Sequence, residues 1–539
     1  MIKVYCEVNK LMDKKNFYIT SAIAYASKKP HIGNTYEIIL TDTIARFKKL
    51  QNFNVCFCTG TDEHGQKIEQ IAKNLNIEPQ NHVDFISNQI KGIWTLLNCD
   101  FDIFIRTTDK KHIRVVKQIF NTLLKNDDIY KSTYKGLYCI ACESFYTENQ
   151  LVQNKCPDCG REVKKTIEEA YFFRAEKYEK KLLDFLKNNE NFIVPKFYVN
   201  EIINNFIKPG LKDFCVSRAS IKWGIEIDSD PEFVVYVWLD ALINYLTAIG
   251  FDLEKNENQK FKTFWPVSLQ VIGKDILRFH AIIWPMLLMA LKLPMPKQIL
   301  THQWLLCKNS KMSKTTGNVI YADDLAKLFS ADSVRFYLLG AMSINHDGSI
   351  SYEDMIDVFN MDLANTLGNL VKRTCDMAYK YFEGEIQTPK NKNEIDNELK
   401  SKCENTFSQF LNLMENYKIN EAISVIMNLT RTCNKFIDKT APWTLAKKIE
   451  YRNKLNCILF NLIEAIRFIA TMLIPIMPSY SKKILNQIGI KIENEFTFND
   501  FNKFGENFNN KKIKKADILF NRIDKDKKLK EIKLFISSN

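Results

Sequence analysis

Of the fourteen cysteines in the chain, four are grouped: Cys139, Cys142, Cys156 and Cys159, in the pattern C-x2-C-x13-C-x2-C. Each Cys-x-x-Cys lets two thiolates converge on one side of a tight turn, and two such turns complete a tetrahedral shell for Zn2+. Pro157 and Gly160, beside the second pair, favour that turn. Because protein would fill all four coordination positions, the expected metal is structural, one Zn2+ per chain, stabilising a small knuckle with little core of its own.

Two further groups suit the binding of a polyphosphate. In Pro30-His31-Ile32-Gly33-Asn34, His31 and Asn34 stand one helical turn apart and can donate toward an anion at a helix N-terminus, where unpaired N–H groups and the dipole favour phosphate. Gly33 lacks a side chain and lets a flat base lie against the backbone. Far downstream, Lys311-Met312-Ser313-Lys314-Thr315 places two lysines three residues apart in a small polar loop, able to set mobile positive charge against phosphates. Taken singly, a His at a helix start also serves as a cap or a core residue, and such a loop also simply faces solvent.

These groups need elements to hold them. Asn16–Ser21 alternates as a strand, and after a loop the segment Ile32–Phe47 puts Tyr36, Ile39, Leu40, Thr43, Ile44 and Phe47 on one helical stripe. Val55–Thr59 reads as a buried strand, followed by Gly60-Thr61-Asp62-Glu63-His64-Gly65 and a helix from Gln66. Strand, helix, strand, helix is the signature of a parallel, doubly wound α/β sheet, which binds ligands outside the carboxyl ends of its strands. A second set follows: a strand at Val234–Val237, a helix around Trp238–Leu246, a strand at Ser268–Ile272 and a helix from Ile276 to Leu293. The sheet is therefore expected to be split by an insertion that includes the four-Cys knuckle. From about Ser351, long amphipathic helical patterns such as Ile356–Tyr381 and Leu455–Met477 indicate a separate bundle. Gln387–Lys392 reads as a loop, and the Lys-rich run Asn509–Lys533 as a solvated helix rather than a nucleic-acid stripe.

Apolar residues at 46%, charged residues at 26%, Gly 17 and Pro 14 exclude collagen-like and largely disordered chains. A net charge of +13 suits a polyanionic partner without requiring one. No secretory or organelle-targeting pattern is read at the N-terminus, and the apolar stretch Phe233–Phe251, interrupted by Asp240, reads as core rather than a membrane span. The singly scattered cysteines fit a reducing compartment, so a cytoplasmic location is expected.

Together, His31-Ile32-Gly33-Asn34 and Lys311-Met312-Ser313-Lys314-Thr315 resemble the HIGH and KMSKS signatures of the class I aminoacyl-tRNA synthetases, with Asn34 in place of the second His and Thr315 in place of Ser. Within that class, Ala22-Ile23-Ala24-Tyr25, Gly60–Gly65, Tyr236–Ala241, Gly273–Ile276 and Arg278–His280 resemble the methionyl-tRNA synthetase family over about residues 15 to 525. The resemblance implies a Rossmann-like catalytic core (1–115 and 233–300) split by a connective insertion at 116–232, whose zinc knuckle lies at about 136–165. It further implies a stem-contact region at 301–350, a helical anticodon-binding domain at 351–508 and a C-terminal tail at 509–539.

The same resemblance implies ATP-dependent ligation of L-methionine to tRNA(Met) through a methionyl-adenylate. His31, Asn34, Lys311 and Lys314 would be the catalytic donors, Gly33 and Ser313 would complete the ATP site, and Mg2+ would be held chiefly by the phosphates. Asp62 would hold the substrate ammonium, and Ile23, Tyr25, Trp238, Leu242, Tyr245 and His280 would surround the thioether, which gains from aromatic contact. Leu242 stands where many relatives have Pro. Asn369, Arg373 and Trp443 would read the anticodon by hydrogen bonding and stacking. The insertion leaves little room for the editing domain of the Ile, Leu and Val enzymes. No appended oligonucleotide-binding fold follows the bundle, so a monomer is expected. Two alternatives remain open at this point: a class I synthetase for another amino acid, and a catalytically silent tRNA-binding homologue.

Overall fold

The computed structural model describes residues 14–140, 144–146, 151–157, 160–254, 258–307, 320–389, 397–491, 496–500, 502–505 and 512–538. Its centre is a seven-stranded parallel sheet: β1 (Asn16–Ser21), β2 (Ala24–Tyr25), β3 (Asn54–Asp62), β4 (Ile103–Arg106), β5 (Ile193–Val194), β6 (Leu269–Gly273) and β7 (Ile299–His302). Both β2 and β4 pair with β3, and from there the order runs β1, β6, β7, β5. Ile19 lies level with Phe57 on one side and Leu269 on the other, and all three are fully buried. Apolar runs of this kind suit strands covered on both faces.

The helix α1 (Ile32–Leu50) buries the whole expected stripe Tyr36, Ile39, Leu40, Thr43, Ile44 and Phe47, and runs one turn further than the pattern showed. After β3 come α2 (Gln66–Leu75), α3 (Pro79–Leu96) and α4 (Lys110–Lys125). Beyond α4, the strands Ile129–Cys139, Ser144–Tyr146, Lys164–Phe173 and Phe214–Cys215 form an antiparallel sheet, with a ladder from Ile129 opposite Phe173 to Tyr138 opposite Lys164. Helix α5 (Val237–Thr247) then returns the chain to the central sheet.

Three expectations are corrected here. Val234 and Val235 do not enter the parallel sheet: the strand Asp230–Val235 pairs antiparallel with Ser217–Arg218 and Glu226–Ile227 in a sheet of its own. A buried apolar run shows that a strand forms but not which neighbour it finds. Conversely, Ile193–Val194, inside the expected insertion, closes the edge of the central sheet, and two residues carry no period to read. The expected helix from Ile276 is a composite of a 3-10 turn (Lys274–Ile276), a π-helical stretch (Phe279–Ile283) and an α-helix (Trp284–Ala290).

The C-terminal half is helical: α6 (Ala331–Ala341), α7 (Asn369–Phe382), α8 (Asn397–Glu415), α9 (Ile419–Thr440), α10 (Arg452–Leu473), α11 (Pro478–Gln487) and α12 (Lys525–Ser538). Among the described residues only the segment Ile449–Leu473, which contains α10, is long and apolar enough to cross a membrane, and 94% of its apolar window is buried inside the bundle. A helix apolar all round is the axis of a core. Among its described residues, which start at Lys512, the Lys-rich tail is not one solvated helix: the helix begins at Lys525. Before that, the Ile513 and Lys514 N–H groups donate to Gly384 and Gln487 carbonyls, and Asn360 exchanges two 2.8 Å hydrogen bonds with the Ile523 backbone. Phe520 buries itself against Tyr480 and Phe359, an apolar signal that the surrounding lysines masked.

Arg335 of α6, wholly buried, pairs with the equally buried Asp42 of α1 at 2.7 Å. Its guanidinium also donates to the carbonyls of Pro475 and Ile476 at 2.9 Å, between α10 and α11, and to Leu97 O and Thr43 Oγ1 at 3.3 Å. Asp42 in turn accepts from Arg46 Nε and from the Asp100 N–H. Arg335→Met leaves Asp42 with Arg46 as its counter-ion but strips a buried charge partner and the donors of the Pro475, Ile476 and Leu97 carbonyls, so it should lower the unfolding free energy by about 3 to 5 kcal/mol. Urea denaturation of the variant beside the parent protein measures it, and a shift well under about 1 kcal/mol would contradict the assignment.

Candidate active site

The carboxyl ends of β1, β3, β6 and β7 converge on the start of α1, the place where an open parallel sheet binds ligands. His31 is the N-cap of α1: its Nδ1 accepts the Gly33 N–H at 3.1 Å, and Asn34 Oδ1 reciprocates by accepting the His31 N–H at 3.3 Å. The Ile32 N–H donates to Ile320 O, and the Asn34 and Thr35 N–H groups to His31 O. All four N-terminal donors of the helix are therefore engaged, which corrects the expectation of unpaired backbone N–H groups awaiting phosphate.

What this end of α1 offers instead is side-chain donors. Burial, with Lys28 adding to it, lowers the His31 pKa to about 4, so the ring is neutral near pH 7. A neutral imidazole whose Nδ1 accepts must carry its proton on Nε2, which fixes Nε2–H as the free donor. Asn34, its oxygen occupied by the cap, has its amide N–H groups left to give.

Lys311, Ser313, Lys314 and Thr315 lie outside the described residues. Their flanks are described: Cys307 ends a short strand paired with Gly348–Ile350, and Ile320 bonds directly to the first residue of α1. Lys29 ties the same region down, 2.9 Å from Asp323 and over the Tyr321 ring. The structure thus brings the segment that follows the lysines against the helix that carries His31.

Asp62 ends β3 level with Tyr25 of β2, and its carbonyl accepts the Ala26 N–H at 2.8 Å. Ile23 packs beside Tyr18 and Cys58. On the facing side, Trp238 stacks on Phe279 with centroids 3.7 Å apart and planes within 5°. Leu242 is buried in the same cluster as Tyr245. His280 donates Nδ1–H to Ile276 O and accepts the Tyr245 hydroxyl on Nε2 at 2.7 Å. Burial lowers its pKa to about 4. The two sides are joined by the Tyr18 hydroxyl, which donates to Tyr245 O. β3 thus ends in the Asp62 carboxylate, and the Trp238–Phe279 and Tyr245–His280 pairs supply aromatic surface of the kind that suits a soft, apolar side chain.

Several members of the site escaped sequence reasoning. Phe279 was visible only as part of a motif and gained meaning from its stack. Glu37, on α1, accepts the Ala22 N–H on Oε1 and meets His302 Nε2 at 3.1 Å with Oε2. His302 Nδ1 donates to Gln303 O, so the Glu37–His302 contact holds a proton between them. Burial pushes the Glu37 carboxyl up, while Glu37 raises His302 against its own burial. Buried Glu63 accepts Arg106 at 2.7 and 2.9 Å and is closed off by Thr61 and Thr108. Glu37 and His302, like Glu63 and Arg106, lie far apart in sequence, and only the fold unites them.

Away from this centre, Arg373 of α7 pairs with Asp438 at 2.7 Å and faces Trp443. Asn369 lies one turn earlier, 3.5 Å from Asn434. Trp443 is 43% exposed, so it is not the core residue that an indole in a bundle could equally have been. Cys139 and Cys156 are buried together in a small cluster with Leu151 and Val163. The Cys156 turn is closed by Gly160 N–H to Cys156 O at 2.8 Å, with Gly160 in the left-handed region at φ 70°. Cys142 and Cys159 lie outside the described residues.

The family described as "tRNA synthetases class I (M)" matches residues 17–167 and 162–375, and the "Anticodon binding domain of methionyl tRNA ligase" matches 387–536. The chain belongs to the methionine family of class I tRNA synthetases. Among curated members it is 47% identical to the methionine–tRNA ligase of Clostridium acetobutylicum, over 97% of this chain and 80% of that protein. It is 42% identical to that of Bacillus subtilis over the same shares. The structure of Mycobacterium tuberculosis methionyl-tRNA synthetase in complex with methionyl-adenylate superposes with a TM-score of 0.90 and 35% identity, covering 94% of this chain and all of that one. The class I synthetase fold of the family, a parallel sheet followed by a helical anticodon domain, is the architecture described above.

The neutral imidazoles give this family member a pH signature. An unfolded imidazole takes up its proton near pH 6.5, whereas His280 in the folded chain does so only near 4. Between those values the unfolded state binds more protons, so stability falls as pH falls through that window. Relative to pH 7.5, His280 should contribute a loss of about 1.4 kcal/mol at pH 5.5. His280→Asn, which keeps a donor for Ile276 O, should show a correspondingly smaller difference between denaturation curves at the two pH values.

Proposed function

We propose that the chain ligates L-methionine to tRNA(Met) with ATP, through a methionyl-adenylate, in the cytoplasm. The observation that carries this reading is the likeness, over nearly the whole chain, to methionine–tRNA ligases, supported by the Asp62 carboxylate at the end of β3 and the Trp238–Phe279 and Tyr245–His280 pairs. Asp62 receives the ammonium; Ile23, Tyr25, Trp238, Leu242, Tyr245 and His280 enclose the thioether. The described cysteines are all buried, as thiols serving as small apolar residues in a reducing location would be.

The methionine carboxylate is already ionised, so its attack on the α-phosphate of ATP requires no general base. It requires in-line placement and compensation of charge on the phosphoryl oxygens and departing pyrophosphate. His31 supplies Nε2–H and Asn34 its amide N–H groups, with Gly33 giving the base access to the backbone. Lys311 and Lys314, with Ser313 between them, add mobile positive charge to the polyphosphate. Mg2+, bound chiefly by the phosphates, would neutralise part of the same charge. A hydroxyl of the tRNA's terminal adenosine, the 2'-hydroxyl by family resemblance, then displaces AMP from the adenylate. Asn369, Arg373 and Trp443 take the anticodon bases, and Cys139, Cys142, Cys156 and Cys159 hold a structural Zn2+. Two buried thiols in a cluster too small to be a core fit that metal.

Methionine-dependent ATP–pyrophosphate exchange tests the reading directly; tRNA binding without exchange would instead indicate a silent homologue. Lys314→Ala should slow exchange by on the order of 3 kcal/mol, as for loss of one transition-state donor. Trp443→Ala should leave exchange nearly unchanged and weaken tRNA charging by roughly 1 to 3 kcal/mol. Elemental analysis should return one zinc per chain, and Cys156→Ser should lose it while lowering activity only indirectly.

A further inference from the structure

Behind the candidate methionine pocket lies a buried polar trio that the chemistry above does not use. Asp240 of α5 accepts from His64 Nδ1 on Oδ2 and from His112 Nε2 on Oδ1, both at 2.7 Å, and all three side chains are buried. His64 follows the end of β3, and His112 belongs to α4, where its Nδ1 lies 2.8 Å from Thr247 Oγ1 near the end of α5. The segment after β3 is pinned around His64. Trp223 packs against its ring, donates Nε1–H to Glu63 O at 2.6 Å and accepts the Gly65 N–H, while Thr107 accepts the Glu63 N–H.

The positions matter more than the charges. Asp62 precedes His64 by two residues, and Trp238 precedes Asp240 by two. Two residues on a helix lie about 200° apart, so Asp240 points away from the face that Trp238 presents and cannot touch a ligand beside Trp238. Burial raises the Asp240 carboxyl, yet the two imidazoles hold it below the ordinary carboxylate range. A buried charged cluster adds little stability over well-packed apolar side chains. Its placement between the two walls of the pocket gives it a different use.

We propose that Asp240 and His64 are positioning residues of the methionine site, their hydrogen bond fixing the strand end that carries Asp62 against the helix that carries Trp238. His112 braces Asp240 from behind. The proposal deepens the methionine reading and rests on it.

The test is methionine-dependent exchange on the full chain with methionine and ATP varied separately. His64→Leu removes the Nδ1 donor and should raise the methionine KM about tenfold or more while the ATP KM stays within about twofold, since a misplaced pocket wall penalises one substrate only. Asn carries an N–H where the imidazole has Nδ1, so His64→Asn should restore the methionine KM to within about threefold of the parent. Equal rises in both KM values, or a His64→Asn variant no better than His64→Leu, would overturn the proposal in favour of a merely structural trio. Should His64→Leu fail to fold, Asp240→Asn serves in its place: a raised methionine KM with an unchanged ATP KM supports the proposal, and unchanged methionine KM overturns it. Failure of the underlying reading looks different, because the parent protein itself would then show no methionine-dependent exchange.

Discussion

The Arg335–Asp42 pair is the constraint on which the arrangement of the whole chain depends. Asp42 sits on the helix whose first turn holds His31, and Arg335 on a helix downstream of the lysine segment. The same guanidinium holds the turn between α10 and α11 through two carbonyls. One planar, permanently charged group with five donors thus ties α6 to α1, to the end of α3 and to the turn between α10 and α11 at a single buried point. An ammonium could satisfy the carboxylate but not the fan of carbonyls around it. The distance between the adenylate-forming site and the proposed anticodon residues is therefore set by packing at this junction rather than by a flexible linker.

Within the site, discrete hydrogen bonds rather than free charge decide what is presented to a ligand. His31 is neutral and its tautomer is fixed by the cap it makes; His280 is neutral and fixed by Ile276 O. Two imidazoles that could have been cations are held as directional donors or acceptors. In the proposed reading the positive charge demanded by a polyphosphate would fall to Lys311 and Lys314, in keeping with Asn34 standing where the family signature has a second His.

Much of this was legible in the sequence because its signals are local. The α1 stripe, the β1 and β3 runs and the two signature motifs each need only a few consecutive residues, and the structure puts the elements where a doubly wound sheet requires them. What was not legible is relational. Ile193–Val194 is too short to show a period, Asp230–Val235 reads as a strand whichever sheet it joins, and Phe520 is hidden among lysines. Glu37 and His302, or Asp240 and His112, become partners only after the chain has folded, and no spacing rule connects them. The cap at His31 consumed the helix N–H groups for a reason equally invisible beforehand, since Ile320 approaches from the far end of the catalytic region.

The split sheet carries a kinetic consequence. β1 lies at the middle of the sheet, yet its neighbour β6 begins at Leu269, just after Ser268, whose hydroxyl accepts the N–H of Tyr18, 250 residues earlier in the chain. During synthesis, β1 to β4 can pair early, but the second edge of β1, with Ile19 and Thr20, has no partner until β6 has emerged. An open, apolar strand edge is a template for wrong pairing, and contacts this distant in sequence form slowly. The intervening antiparallel sheet, whose longest ladder joins strands close in sequence, can fold first and shorten the effective span that β6 must cross. The insertion thus acts as a folding spacer whose early compaction limits how long the nascent β1 edge stays open to aggregation.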